Sequence, residues 1–501
     1  MSTTKTILKN TIFLYIRMII TMMISLFTSR VIINALGFTD YGIYSVVGGI
    51  VGLISFMHAS LAGATIRFMN VQMGSYNLQD LKSVFNSAVI VHLCLALLIL
   101  IVGESLGLWY FYNKLNIPSN REVAAMWVFQ FSIVSVIMTI LQTPYDAAIV
   151  AHQKMSIYAY ISILEALLKL LIALAVFYSP YDRLIVYSGL LLFVSTIVRL
   201  IYQIYCRLNF EECRFSWQIN KEYVKSISAF FGWDVFGNFS IVLKNQGIQL
   251  VINFFFGVIY NTVAGIATTV SGILQGLASN FSIAVKPQIT QFYAQGKIDE
   301  MFRLTYLNAR LTFYVLLLIS MPVFVDGNFI LSLWLKNVPP YTYLFSVLIL
   351  IQIVLSRLHA ALNDVIQASG KISRWSFIGG LVNVFNVLLT YILLIFFKRP
   401  EIAYLTGIIC IIPSMLINIY YTKLIFPRFS IKSFLYHVYL KALIVAFLGG
   451  LSCILMILFL PNSTFFSFIK LFTSFFMTFG FIWIIGINND EKSLLLKKFR
   501  A

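Results

Sequence analysis

Apolar runs long enough to cross a bilayer follow one another along the whole chain, separated by short polar stretches. A spanning helix takes roughly 20 mostly apolar residues, because the hydrocarbon core is about 30 Å thick and each helical residue rises about 1.5 Å. On that measure the pattern predicts about fourteen spans. Those of the first half fall near 12–35, 41–66, 84–110, 123–150, 156–178, 184–206 and 226–256. The second half gives 258–283, 303–327, 341–366, 375–397, 402–424, 437–459 and 464–487. The fold class expected is an all-α polytopic membrane protein.

Composition agrees with this and leaves room for little else. Residues are 60% hydrophobic and 11% charged, with a mean hydropathy of +0.89, whereas soluble domains run near 25% charged. No soluble domain of ordinary size fits between the spans. The first apolar stretch is longer than the apolar core of a signal peptide and contains Arg17 and Arg30, so it reads as an uncleaved first span. Five cysteines, Cys94, Cys206, Cys213, Cys410 and Cys453, lack metal-ligand or paired spacing and read as reduced packing residues. The five histidines are dispersed singly and read as packing or interfacial groups.

The net charge of +18 is a matter of orientation. With the N-terminus inside, cytoplasmic ends and loops collect about 22 of the 36 Lys and Arg, outer loops about 6, and spans about 8. Among the outer ones are Lys114, Arg121, Arg183, Lys336, Lys398 and Arg399. An even number of crossings then places both termini in the cytoplasm. Such a balance fits contact with anionic headgroups; a nucleic-acid partner would need a basic soluble face, which the pattern lacks.

A polar interruption after six spans, with Glu211, Glu212, Arg214, Lys221 and Glu222, reads as a cytoplasmic linker. A shift of about 220 residues superposes Val31, Ile32, Gly37 and Gly52 on Val251, Ile252, Gly257 and Gly272. Six spans separate the copies, so they share an orientation and form a parallel, pseudo-twofold repeat. The domains expected are an N-terminal lobe over 1–210, a linker over 211–225, a C-terminal lobe over 226–427, and two extra spans with a tail over 428–501. Substrate is expected in the cleft between such lobes. Glycines 48, 49, 52 and 63 in span two, and 265, 272 and 276 in span eight, suit close helix approach or bending.

Charge inside the spans is mostly basic. Ionisable groups at that depth are costly unless they face protein or water, so they are candidates for function. The candidate substrate-binding residues are Arg30, Lys169, Arg199, Lys244 and Arg357, while Arg17, Arg310 and Lys470 lie nearer span ends and are expected to snorkel. Glu165 and Lys169, four apart, can pair across one helical turn. Lys244 sits among Asn238, Asn245, Gln246 and Gln249, a stretch too polar for a lipid-facing helix, and Asn383 and Asn386 in span eleven occupy about the place that Glu165 and Lys169 take in the repeat partner. Guanidinium groups hold phosphate oxygens bidentately and ammonium groups act as point charges, so a cavity lined this way suits a diphosphate.

The run Ser29, Arg30, Val31 through Leu36, Gly37, Phe38, Thr39, Asp40, Tyr41, Gly42, Ile43 and Tyr44, followed by Ala64, Thr65, Ile66, Arg67 and Phe68, resembles the N-terminal region of Wzx-type polysaccharide flippases. These belong to the multidrug/oligosaccharidyl-lipid/polysaccharide (MOP) exporter superfamily. The resemblance implies movement of undecaprenyl diphosphate-linked oligosaccharide across a bacterial cytoplasmic membrane, in the synthesis of O-antigen, capsule or exopolysaccharide. It implies a functional arginine in span one, carried over to Arg30 and in second place to Arg67. It also implies proton or sodium antiport, for which Glu165, Asp234 and Asp364 are the well-placed carboxylates, and polysaccharide polymerase machinery as a protein partner. No catalytic residue, cofactor or metal site is expected, and with no Walker motif ATP hydrolysis is not expected of this chain.

Three other classes fit less well. A multidrug exporter of the same superfamily would favour carboxylates over cations in its spans. A polytopic O-antigen polymerase or ligase would carry a long external loop with Arg or His, and a membrane glycosyltransferase a nucleotide-sugar domain with acidic metal ligands.

Overall fold

The computed structural model describes residues 3–54, 61, 65–66, 68–69, 72, 78–152, 154–214, 216, 220–335, 337–371, 373–461, 463–487 and 492. Side chains are described for these except at 3–16, 54, 226–238, 279–284, 287–288, 291, 294 and 373. Among the described residues there is no strand. A chain in hydrocarbon must satisfy every backbone N–H and C=O within its own segment, and helices do so.

The helices, in chain order, are α1 (Thr3–Ile54), α2 (Leu78–Lys114, with a π turn at Gly103–Gly107), α3 (Glu122–Ala151), α4 (Met155–Phe177), α5 (Arg183–Asn209), α6 (Lys221–Phe256) and α7 (Val258–Ala294). They continue as α8 (Ile298–Trp334), α9 (Thr342–Ala368), α10 (Ser373–Phe397), α11 (Ile402–Ile425), α12 (Ile431–Phe459) and α13 (Thr464–Gly486). Among the described residues, twelve stretches are long and apolar enough to cross a membrane. The fourteen expected spans are recovered from these in two steps. First, α1 is two helices joined at Gly37, where φ is 78° and ψ is 174°; glycine reaches that conformation without the Cβ clash other residues meet. Second, α7 covers the expected eighth span, and its Asn261, Thr262 and Ser271 are buried against protein.

The contacts divide the chain into two compact units. The first is Met1–Gly265 with Asn383–Pro400, and the second is Ile266–Val382 with Glu401–Ala501. Among the described residues, the first unit shows two apolar clusters. In one, Ile43, Val46 and Val47 of α1 pack with Phe111 of α2 and Val128 and Phe129 of α3; in the other, Ala88, Leu95 and Ile99 of α2 pack with Leu61 and Ile140. The second unit has one large cluster in which α8 and α9 pack with α12, through Phe313, Leu316, Leu350, Leu362, Phe434 and Val445. The last two spans are tied in by specific contacts. Tyr314 donates to the Gly486 carbonyl at 3.3 Å, and Ser467 of α13 donates to Asp326 of α8 at 2.7 Å.

Helix starts outside the hydrocarbon are capped as expected from their sequence. The Asp182 carboxylate accepts from the Leu184 and Ile185 N–H groups, Asn220 from Glu222, and Ser463 from Phe466. Each such cap contributes about 1 kcal/mol.

Candidate functional site

The described geometry separates the cations of the first unit into two groups. At one end, Arg121, which opens α3, is held by two carboxylates. Its Nε and Nη2 donate to Asp40 at 2.8 and 2.6 Å, and its Nη1 and Nη2 to Asp182 at 2.6 and 3.1 Å. Next to it, Arg183 donates to the Ala35 carbonyl at 3.0 Å. Three helix ends that the Lys and Arg pattern assigns to one side therefore meet in one charged clasp, and Arg121 and Arg183, two of the six cations expected in outer loops, make structural contacts. For Asp182, partial burial is the largest single influence and raises the pKa, but the hydrogen bonds and charge of Arg121 together with the Ile185 and Leu184 N–H groups outweigh it and hold the carboxyl below its usual value.

The same end explains the Gly-Phe-Thr-Asp-Tyr-Gly run. Gly37 makes the bend, Asp40 takes Arg121, and the Phe38 carbonyl accepts from Thr262 of α7. Gly42 lies against α7 so closely that a Cβ would come within 2.0 Å of the Val258 carbonyl oxygen. Beside it a buried amide network closes the turn between α6 and α7. Asn261 donates to the Gln249 carbonyl and side chain at 2.8 and 3.2 Å, Asn253 to Asn261 at 3.0 Å, and the Asn116 N–H to Asn253 at 2.9 Å. The sequence analysis missed this network. The signal was the spacing of Asn253 and Asn261 around Gly257, whose φ of 77° ends α6.

The second group lies along the helices. Arg30 is half-buried on α1 and Lys244 half-buried on α6. Lys169 is paired with Glu165 at 2.6 Å on α4, with the two side chains 46% and 36% exposed, as their spacing predicted. Arg199 on α5, and Arg357 on α9 in the second unit, each have an Nε shut off from solvent with no hydrogen-bond partner among the described residues. The Arg17 Nε is in the same state, while its guanidinium lies 4.9 Å from the centroid of the Tyr158 ring. Of the polar stretch on α6, Gln249 belongs to the amide network, and Gln246 lies over Gly49 and Gly52 of α1. Asn245, next to Lys244, is exposed.

Two expectations are corrected. Arg310 and Lys470 do not snorkel: they are only 4% and 2% exposed. Arg310 is buried in the core of α8, and Lys470 one turn beyond Ser467 on the face of α13 that meets α8. Hydropathy gives a residue's depth along a helix but not the face on which a neighbour packs.

Among the candidate coupling carboxylates, Asp364 is 9% exposed on α9. One turn on, Gln367 accepts from Lys286 of α7 at 2.6 Å. The side chains of Asp234 and Asn238, and residue Arg67, lie outside the described residues. Asn386 is fully buried, and Asn383 donates to Ser240 at 3.5 Å. Three acidic residues were not among the candidate coupling carboxylates. Asp326 sits at a break in α8 (φ −146°, ψ 56°), Asp146 accepts from Gln142 at 3.1 and 3.3 Å, and Glu104 on the π turn accepts from Gln130 at 3.2 Å. Of the histidines, His152 pairs with the buried Glu212 at 2.5 Å and stacks on Phe210. That pairing folds the start of the polar linker back onto the end of α3. All five cysteines are free, and all but Cys94 are buried.

No curated protein matches this sequence. Solved structures match its fold. The lipid II flippase MurJ in an inward closed conformation aligns with a TM-score of 0.65 at 15% identity, over 95% of this chain and 99% of that one. An inward-facing MATE-family multidrug resistance transporter of the MOP superfamily aligns at 0.64 and 12% identity, over 83% and 96%. The MATE multidrug transporter DinF-BH aligns at 0.62 and 14%, over 85% and 97%. The chain thus shares the fold of these structures. The sequence model described as polysaccharide biosynthesis protein matches residues 7–293, more than half of the chain and including the whole Gly37–Gly42 bend with its partners on α3, α5 and α7; the chain belongs to that family.

Proposed function

We propose that this protein flips undecaprenyl diphosphate-linked oligosaccharide across the bacterial cytoplasmic membrane by alternating access, with both termini in the cytoplasm. Arg30, Lys169, Arg199, Lys244 and Arg357 form the cationic path for the anionic head. The observation that carries this reading is the state of Arg199 and Arg357, whose Nε donors are buried without an acceptor among the described residues. A buried donor left unsatisfied costs about 1 to 3 kcal/mol. Phosphate oxygens would supply the acceptor and offset the charge. Family membership supports a role in polysaccharide synthesis, and the fold shared with a lipid II flippase supports a lipid-linked substrate.

The moving parts are the lobes 1–210 and 226–427, hinged at 211–225, and exchange of a proton or sodium ion at Glu165, Asp234 or Asp364 drives the cycle. The flipped product passes to the polysaccharide polymerase machinery. The test is surface-polysaccharide export in cells expressing single variants at matched protein level. Arg30→Ala and Lys244→Ala reduce export, and Arg30→Lys retains part of it, because attraction survives when the bidentate fork is lost. Normal export by both alanine variants would remove the mechanism. Efflux of a cationic dye by the wild type, with export unaffected by its deletion, would favour a multidrug exporter instead.

A further inference from the structure

The first unit contains an apolar cavity of about 350 Å³, which the head-binding residues do not use. Its walls include Ile50 and Leu53 of α1, Ile99, Val102 and Leu106 of α2, and Leu250 of α6. Tyr110 alone among its lining residues carries a polar side-chain group. A buried water needs two to four polar partners, so this space is not a water site; a cavity of roughly 150 Å³ lined by similar side chains stays dry and takes benzene. By proportion this one holds about fourteen carbons, close to three isoprene units. Leu98 and Leu106 at its edge are 42% and 66% exposed, so hydrocarbon from the bilayer can reach it.

Resting on the flippase reading above, we infer that this cavity docks the polyisoprenoid chain of the carrier lipid while its diphosphate is held on α6. Helix α6 carries both chemistries. Phe239 and Leu250 line the cavity, and Lys244 lies between them in sequence, on the order of 8 Å along the axis from each. An ordinary phospholipid keeps its phosphate at the interface with its chains below it. An amphiphile whose anionic head leaves the interface can place its head and part of its chain along the same helix.

The test uses the full chain in nanodiscs, a polyprenyl diphosphate bearing a diazirine on its chain, and a phosphatidylglycerol carrying the same group. Labelling by the first probe is expected within 98–110 and 239–250, with little by the second. Ile99→Trp fills the cavity and is expected to weaken polyprenyl diphosphate binding at least tenfold; Leu106→Trp, at the more exposed edge, repeats the test should the first variant fail to fold. Equal labelling by phosphatidylglycerol, or wild-type affinity in a folded filled variant, would overturn the inference. If binding also falls in Lys244→Ala, the flippase reading survives that failure. A wild type that binds no polyprenyl diphosphate sinks both.

Discussion

Arg121 and Arg199 lie on α3 and α5, neighbours packed along much of their length, yet the two guanidiniums are treated in opposite ways. Arg121 makes four hydrogen bonds to two carboxylates. Arg199 has an Nε hidden from solvent and without an acceptor among the described residues. A fully compensated charge fixes three helix ends together. A buried donor left without an acceptor costs folding energy, and a protein that retains one does so for something other than stability. The same sequence feature, an arginine near a span, thus marks architecture in one place and a candidate ligand contact in the other.

The largest effect is expected at the clasp's backbone. Gly42→Ala puts a methyl group 2.0 Å from the Val258 carbonyl oxygen, and a backbone atom cannot turn aside as a flexible side chain can. Gly48→Ala, with nothing within 4 Å of its added Cβ, is the control. Size-exclusion profiles of detergent-extracted protein should show the first lost or aggregated and the second monodisperse. A monodisperse, fully stable Gly42→Ala protein would mean that α1 and α7 are not held together by this approach.

Substituting methionine for each arginine gives changes of opposite sign. Arg199→Met and Arg357→Met each remove a guanidinium whose buried Nε has no acceptor among the described residues, so thermal stability should hold or rise while export falls more than tenfold. Arg121→Met leaves Asp40 and Asp182 facing each other, and should cost about 2 kcal/mol, the scale of a charge-assisted hydrogen bond, with export reduced only as far as folded protein is. If Arg199→Met destabilises as Arg121→Met does, Arg199 is structural and the contrast collapses.

Much of this was legible in the sequence because hydrocarbon imposes so few solutions. Apolar run length predicted the spans, Lys and Arg placement grouped the helix ends, and the four-residue spacing of Glu165 and Lys169 predicted their pair. Rotation about each helix axis was not legible, since it depends on neighbours distant in sequence; hence the burial of Arg310 and Lys470. The partners of Arg121 were hidden for the same reason, because Asp40 and Asp182 stand 81 and 61 residues away. The breaks at Gly37 and Asp326 also escaped a reading by hydropathy, which is blind to backbone dihedrals. The flippase resemblance found the Gly37–Gly42 run, and the geometry gives that run a packing role.

The smallest effect is on pH dependence, and it tests whether the clasp is as fully compensated as its distances indicate. The carboxyl of Asp182 is held below its ordinary value, because Arg121 and the Ile185 and Leu184 N–H groups together overcome the opposing effect of burial. A folded-state pKa below the unfolded value of about 3.9 means stabilisation that is complete above roughly pH 5 and lost as pH falls through the folded value. From this group the thermal midpoint should be flat between about pH 5 and 8 and decline only in stronger acid. Asp182→Asn should lower the midpoint slightly at neutral pH and flatten the acid decline, because the group that takes up the proton is gone. Midpoints followed from pH 7 downwards for wild type and variant would show it. An identical acid slope in Asp182→Asn would mean that other carboxylates carry the transition and that Arg121 is held chiefly by Asp40.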